Sequence, residues 1–200
     1  MAVPYRSYSE VETISLQFLD SCGTRGIVPV PIETIVEFGL GIDIVPIPGI
    51  RTDFGVHAFL SSDFESIYVD EDTMKRFPEV YRFSLAHELG HNEMHDAEYP
   101  GAPPSIADWI AFQKEWREDD DYKRCEGQAY DFAGLVLVPT DALRKHIDTL
   151  KAEVGQTAYY DLVESQENRG PALVAWGKVF HVSPPVIEKR LVRSFGWRDD

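Results

Sequence analysis

The stretch RFSLAHELGHNEMH, residues 82–95, decides how the rest of the chain is read. Phe83, Ala86, Gly90 and Met94 recur at spacings of three and four, which writes one apolar stripe along a helix. Ahead of it, Pro78 and Glu79 suit a helix start: proline is tolerated in the first turn and an acid favours that end of the dipole. On such a helix His87 and His91 project from one face, about 6 Å apart along the axis, as a single metal ion requires. Glu88 then points to the side of that ion, where a metal-bound water would sit. Zinc brings such a water to a pKa of about 7, and a carboxylate beside it can take the proton and pass it to a leaving amine. Gly90 costs the helix about 1 kcal/mol relative to alanine. A packing reason is therefore expected for it: a bare position lets a second helix close in beside the metal.

That second helix is read 35 residues on, in CEGQAYDFAGLVLVP, residues 125–139. Glu126, Ala129, Tyr130, Ala133 and Leu137 share one face, small or apolar except for the acid at its start. A carboxylate aimed from there at the ion would be the third ligand. Cys125 is the competing donor, softer and able to bind zinc, but its position rotates it about 100° off the face that carries Ala129 and Ala133. Glu126 is preferred. Pro139 ends this helix, and Thr140 with Asp141 reads as the cap of the next.

These segments resemble the ImmA/IrrE family of metallopeptidases, whose members read RFTLAHELGHLLLH and then ExxANxFAAxLLMP. The closing segment ALVAWGKVFHVSPPVIEKRL, residues 172–191, is similar to that family's LAxxFxVSxxxxxxRL. The resemblance implies a zincin-like fold and a gluzincin-like site, with His87, His91 and Glu126 as ligands and Glu88 as general base. It also implies proteolysis of one regulatory protein, such as a helix-turn-helix repressor encoded nearby. The chain departs from the family in Tyr130, where an Asn or Asp is usual, and in a longer stretch between the two ligand helices.

Composition agrees with a single domain over residues 1–200, with a metal-site core at about 78–139 and a C-terminal helical segment at 140–200. A chain of 200 residues that is 44% hydrophobic can bury one sizeable core. No run of 18 or more apolar residues is present, and the N-terminus lacks a basic and then apolar leader, so the expected location is cytoplasmic. Cys22 and Cys125 form no disulfide framework and are read as reduced thiols. A net charge of −15 argues against direct binding of nucleic acid and suits a basic protein partner.

Ser9 and Glu12 read as a capping box before a first helix that Gly23 stops, and Pro31 opens a short helix closed by Gly39 and Gly41. Runs at 42–47, 56–60 and 66–70 predict three short strands in an antiparallel meander beside the histidine helix. From Pro78 onward the pattern is nearly all helix. Between the ligand helices lie YPGAPPS and a helix with Trp109, Phe112 and Trp116 on one face, read as packing, and then EDDD, read as a solvated loop. His57 is read as packing or surface. His95 falls too far along the axis to share the ion and is placed to orient a carboxylate or carbonyl behind it. An electrophilic donor is needed, and Arg82, His95, Tyr99, Tyr130 and His181 are the candidates. FHVSPPVIEKRL mimics a DNA-reading helix-turn-helix, but its prolines and the acidic chain favour a structural hairpin with Ser183 as cap.

The fold expected is thus α+β, mainly helical around a small antiparallel three-stranded sheet. The function expected is a zinc-dependent endopeptidase, with another divalent metal as the alternative cofactor. A metal-binding, antitoxin-like module without turnover is the competing reading, and Glu88 argues against it because a purely structural metal needs no such acid. A deformylase-type hydrolase fits less well, since its cysteine ligand would precede the histidines.

Overall fold

Ser7, two residues before the expected cap, opens the first helix, α1, Tyr8–Ser21. Its hydroxyl accepts from Glu10 N, and its own N–H donates to Glu10 Oε2 at 2.7 Å. The S-x-x-E pattern occurs twice in SYSEVE, and tertiary contacts choose between the copies. Starting at Ser7 frees Glu12 to accept from Thr140 and sends Tyr8 to Ser194, so the helix is tied to the C-terminal half. The computed structural model describes residues 3–61, 63–95, 119–165 and 168–197. The segment with Trp109, Phe112 and Trp116, and Tyr99 before it, lies outside them.

A short helix α2, Ile32–Thr34, runs into a wider turn at Ile35–Gly39. Three strands follow, β1 Asp43–Ile47, β2 Ala58–Leu60 and β3 Ser66–Asp70, in the order β1-β3-β2. The sheet is mixed rather than a meander: β2 pairs antiparallel with β3, but β1 pairs parallel with it, Asp43 opposite Ser66 through Ile47 opposite Asp70. The cause lies in residues 48–57. Here α3, Ile50–Phe54, sits between Gly49 and Gly55, both at positive φ. This turn carries the chain past the neighbouring position, so β2 enters at the far edge and β3 returns between the two. Five residues are too few to show helical periodicity, which is why the sequence hides α3.

Asp70 ends β3 and caps α4, Glu71–Arg76, by accepting from Thr73 N at 2.8 Å; it also accepts from Arg51 N at 3.1 Å. Then comes α5, Pro78–Met94, with Pro78 in its first turn as expected. The long partner helix is α6, Asp120–Leu137. Its N-cap is Asp119, which accepts from Asp121 N and Tyr122 N, so the acidic run reads as a helix start and not as a loop. Gly90 has the packing reason expected of it: a Cβ there would lie 2.9 Å from Ala129 Cα. Around this crossing Leu85, Ala86, Leu89, Phe132, Ala133 and Val136 are fully buried, and Phe18 of α1 meets Phe132 edge-on at 5.4 Å.

The remainder is helical: α7 Thr140–Val154, α8 Gln156–Tyr159 with a wide turn at Tyr160–Glu164, α9 Gly170–Phe180 and α10 Pro184–Phe195. Thr140 does not cap α7 through its side chain; its hydroxyl donates to Glu12 and accepts from Arg190 instead. The last two helices form the expected hairpin. Gly177 makes its turn tight, since a Cβ there would lie 2.7 Å from Val182 O. Ser183 sits at the N-cap of α10 without a capping side-chain bond. The mainly helical α+β class holds, with β2 of the sheet bonded to the middle of α5 through Leu60 and Glu88. Among the described residues, no helix is long and apolar enough to cross a membrane.

Candidate metal centre

Close approach at Gly90 and Ala129 is what brings Glu126 to the histidines, because α5 and α6 can then run nearly in contact beside the ion position. His87 Nε2 lies 3.2 Å from His91 Nε2. Glu126 Oε2 lies 3.3 Å from His87 Nε2, and Oε1 lies 3.4 Å from His91 Nε2. Tetrahedral zinc with bonds of about 2.0–2.2 Å separates neighbouring ligands by about 3.3–3.6 Å, so these three groups stand near the spacing of one coordination shell. Two imidazoles and one carboxylate are also donors that suit zinc. The residues present therefore fit a divalent ion.

Exposure grades across the cluster. The side chain of His91 is 1% exposed, that of His87 18% and that of Glu126 35%, so among the described residues the cluster opens toward Glu126. The opening is a cleft of about 310 Å³ whose walls include Ala58, Phe59, Val80, Phe83, Tyr122 and Tyr130. Burial keeps His91 neutral, with its pKa pulled down to about 4 although Glu126 opposes this. Neutral imidazole is the form that ligates. For His87 the pull of burial is outweighed by the bond to Glu126 and its charge. Burial also works against the ionised Glu126, but the two histidines override it and hold the carboxyl well below its usual range.

Glu88 points to the same cleft and is tied to the sheet. Its Oε2 accepts from Leu60 N at 2.9 Å, a bond from the edge strand β2 to the middle of α5. Glu88 as a whole is 5% exposed, and burial pushes its pKa up to about 7, with the Glu126 charge adding to the rise. A carboxylate at that value can both take and return a proton near neutral pH.

The other expected candidates separate clearly. Arg82 faces away from the cleft, donating to Glu33 at 2.8 Å, to Val30 O at 2.6 Å and to His181 O at 3.3 Å. Its partner His181 is the left-handed residue that ends α9. Tyr130 does line the cleft, packed on Phe83 at 4.7 Å with Lys189 Nζ 3.8 Å over its ring. His57 lines the cleft as well, its Nδ1 2.9 Å from Thr73 Oγ1. Tyr122 is the residue missed: it lines the cleft one turn before Glu126 and hydrogen-bonds that carboxylate, while burial and the negative charge raise its own pKa. The i, i+4 spacing of Tyr122 and Glu126 was the available signal, hidden because the acidic run was read as a loop.

His95 reaches further than its position on the ligand face implied. It is fully buried behind His91, with Cys125 beside it. The 100° rotation does turn Cys125 away from the cleft, and it lands on the far side of the same histidine.

Residues 40–192 match the model of peptidase family M78, described as an IrrE N-terminal-like domain. No curated protein matches the chain. A solved structure described as a Mycobacterium tuberculosis transcriptional regulator is similar, with a TM-score of 0.58 at 15% identity, over 91% of this chain and 46% of that one. At that identity the likeness is one of fold, and the chain spans about half the length of that structure.

Proposed function

The chain belongs to the M78 peptidase family, and from that premise we propose that it is a zinc-dependent endopeptidase acting on a specific regulatory protein, such as a helix-turn-helix repressor encoded nearby. The observation that carries this reading is the convergence of His87, His91 and Glu126 beside a buried Glu88 that opens on one cleft. His87 Nε2, His91 Nε2 and the Glu126 carboxylate would hold the ion. When bound, it supplies a Lewis acid for the scissile carbonyl and for an attacking water.

The chain's own residues do the rest. Glu88 accepts the proton of the water and returns it to the departing amine, a task its raised pKa suits. Leu60 N–H holds that carboxylate at the cleft wall, and Tyr122 orients Glu126 from the preceding turn. Phe59, Phe83 and Tyr130 form an apolar wall that excludes water from one side of the scissile bond. Beside Glu88 runs β2, at the edge of the sheet, where an extended peptide can lie alongside it.

A net charge of −15 favours encounter with a basic repressor and makes that encounter salt-dependent. The test incubates purified protein with the repressor and with casein, at low and high salt, with and without chelator. Expected are cleavage of the repressor at one or a few bonds, loss with chelator, recovery with zinc, and little action on casein. Elemental analysis should find one metal per chain in the parent and in Cys125→Ala, and none in Glu126→Ala. An intact repressor with bound metal would leave a binding module, and efficient casein digestion a general peptidase.

A further inference from the structure

The side of His91 turned away from the cleft meets an unbroken chain of polar groups. His91 Nδ1 lies 3.3 Å from His95 Nδ1, and His95 Nε2 lies 2.9 Å from Gln128 Oε1. Gln128 Nε2 in turn donates to Pro4 O at 3.0 Å, and Arg6 Nη1 reaches Gln128 Oε1 at 3.5 Å. His91, His95 and Gln128 are all buried, with 4% exposure at most.

Proton positions follow from the far end. The Pro4 carbonyl only accepts, so the Gln128 atom facing it is the amide nitrogen and the one facing His95 is the oxygen. That oxygen also only accepts, so His95 carries its proton on Nε2 and turns a lone pair at Nδ1 toward His91. Two Nδ1 atoms at 3.3 Å need one proton between them, and it belongs to His91. His91 Nε2 is then the bare nitrogen, facing Glu126 and His87.

We propose that His95, held by Gln128, is a positioning residue that keeps the His91 proton on Nδ1 and so presents the Nε2 lone pair to the metal. This deepens the metal-centre reading above and rests on it. The bond matters because Glu126 Oε1, 3.4 Å from His91 Nε2, would otherwise draw the proton to the ligating nitrogen. An ion would then have to displace it. Cys125 Sγ, 3.4 Å from His91 Nδ1, is a weaker acceptor for the same N–H. A second metal among His91, His95 and Cys125 is disfavoured, since both ring nitrogens of His91 would have to be bare at once.

The test measures zinc affinity of the full chain by competition with a chromophoric chelator, and unfolding midpoint alongside. In His95→Asn the amide oxygen takes the place of Nδ1 and keeps an acceptor for His91. In His95→Gln the amide takes the place of Nε2, reaches Gln128, and leaves His91 without that acceptor. A merely structural role would penalise the two alike. Expected are affinity within about threefold of the parent for His95→Asn and for Cys125→Ala, and a fall of about 10–100-fold for His95→Gln and His95→Leu. Should His95→Leu not fold, the Asn and Gln pair decides. Equal affinities in that pair overturn the relay. So does a second zinc equivalent lost in Cys125→Ala, which would make the cluster a metal site. Loss of zinc in His87→Ala with every His95 variant at parental affinity overturns the relay and keeps the metal centre. A parent that binds no zinc overturns both.

Discussion

Two polar clusters, each built on a buried side chain, Arg190 and His91, lie toward opposite ends of α6, and they are balanced in opposite ways. At its C-terminal end, Arg190 donates from Nε to Val138 O at 3.0 Å, from Nη2 to Thr140 Oγ1 at 2.7 Å, and from Nη1 to Tyr8 and Ser194. Each nitrogen of the guanidinium finds an acceptor, and the cluster ties α1, α6, α7 and α10 together. Near its N-terminal end, the opposite holds. His87 Nε2, His91 Nε2 and two carboxylate oxygens converge within 3.2–3.4 Å, and two imidazole nitrogens that close cannot both keep their protons. A closed donor–acceptor balance marks a cluster that holds the fold, whereas converging lone pairs mark one shaped for a cation.

The sharpest way to test this contrast is Glu88→Gln, which removes the proposed base without touching a proposed ligand. Hydrolysis of the proposed substrate should fall by about 10²–10⁴-fold while metal content and unfolding midpoint hold. Parental turnover would break the assignment. Next comes the opposite cluster. Arg190→Met should cost about 3 kcal/mol in denaturant unfolding, since the buried Val138 carbonyl and three part-buried hydroxyls lose their donor, yet bind the same zinc per folded chain. Loss of metal at parental stability would erase the distinction between the clusters.

Gly90→Ala addresses the crossing that joins them. A Cβ 2.9 Å from Ala129 Cα forces α5 and α6 apart, and overpacking of about 1–3 kcal/mol exceeds the helix-propensity gain of about 1 kcal/mol. Both the unfolding midpoint and zinc affinity should drop, Glu126 being moved off the histidines. Unchanged affinity would mean that the two helices need not touch to form the site. The smallest effect is expected for Tyr122→Phe, which removes the hydroxyl bonded to Glu126. Zinc affinity should weaken about tenfold, the lower end for a residue that orients a ligand, with no change in stability larger than about 1 kcal/mol.

Some of this is legible in the amino-acid sequence alone. The stripe through Phe83, Ala86, Gly90 and Met94 runs through a helix with Pro78 in its first turn, and the small-residue face of Ala129 and Ala133 meets Gly90 as expected. Both are local periodicities, and a helix enforces them turn by turn. What failed was arbitration between equal local signals. Ser7 and Ser9 offer the same cap, and only the reach of Glu12 and Tyr8 to the C-terminal half decides. The acidic run suits a loop or a helix start alike, and choosing the loop hid Tyr122. Parallel pairing of β1 with β3 rests on a five-residue helix between two glycines, too short to announce itself.

By itself, then, the chain determined its two principal helices, the face each presents and the residue types gathered on those faces, because side-chain direction on a helix follows from sequence spacing alone. Which groups stand behind His91 is a different matter. His95 and Cys125 reach the back of His91, and Gln128 closes on Pro4 124 residues away, only because α5 and α6 pack closely with the N-terminal segment across them. Such contacts join positions with no periodic relation in the chain, so the tertiary structure alone decides them.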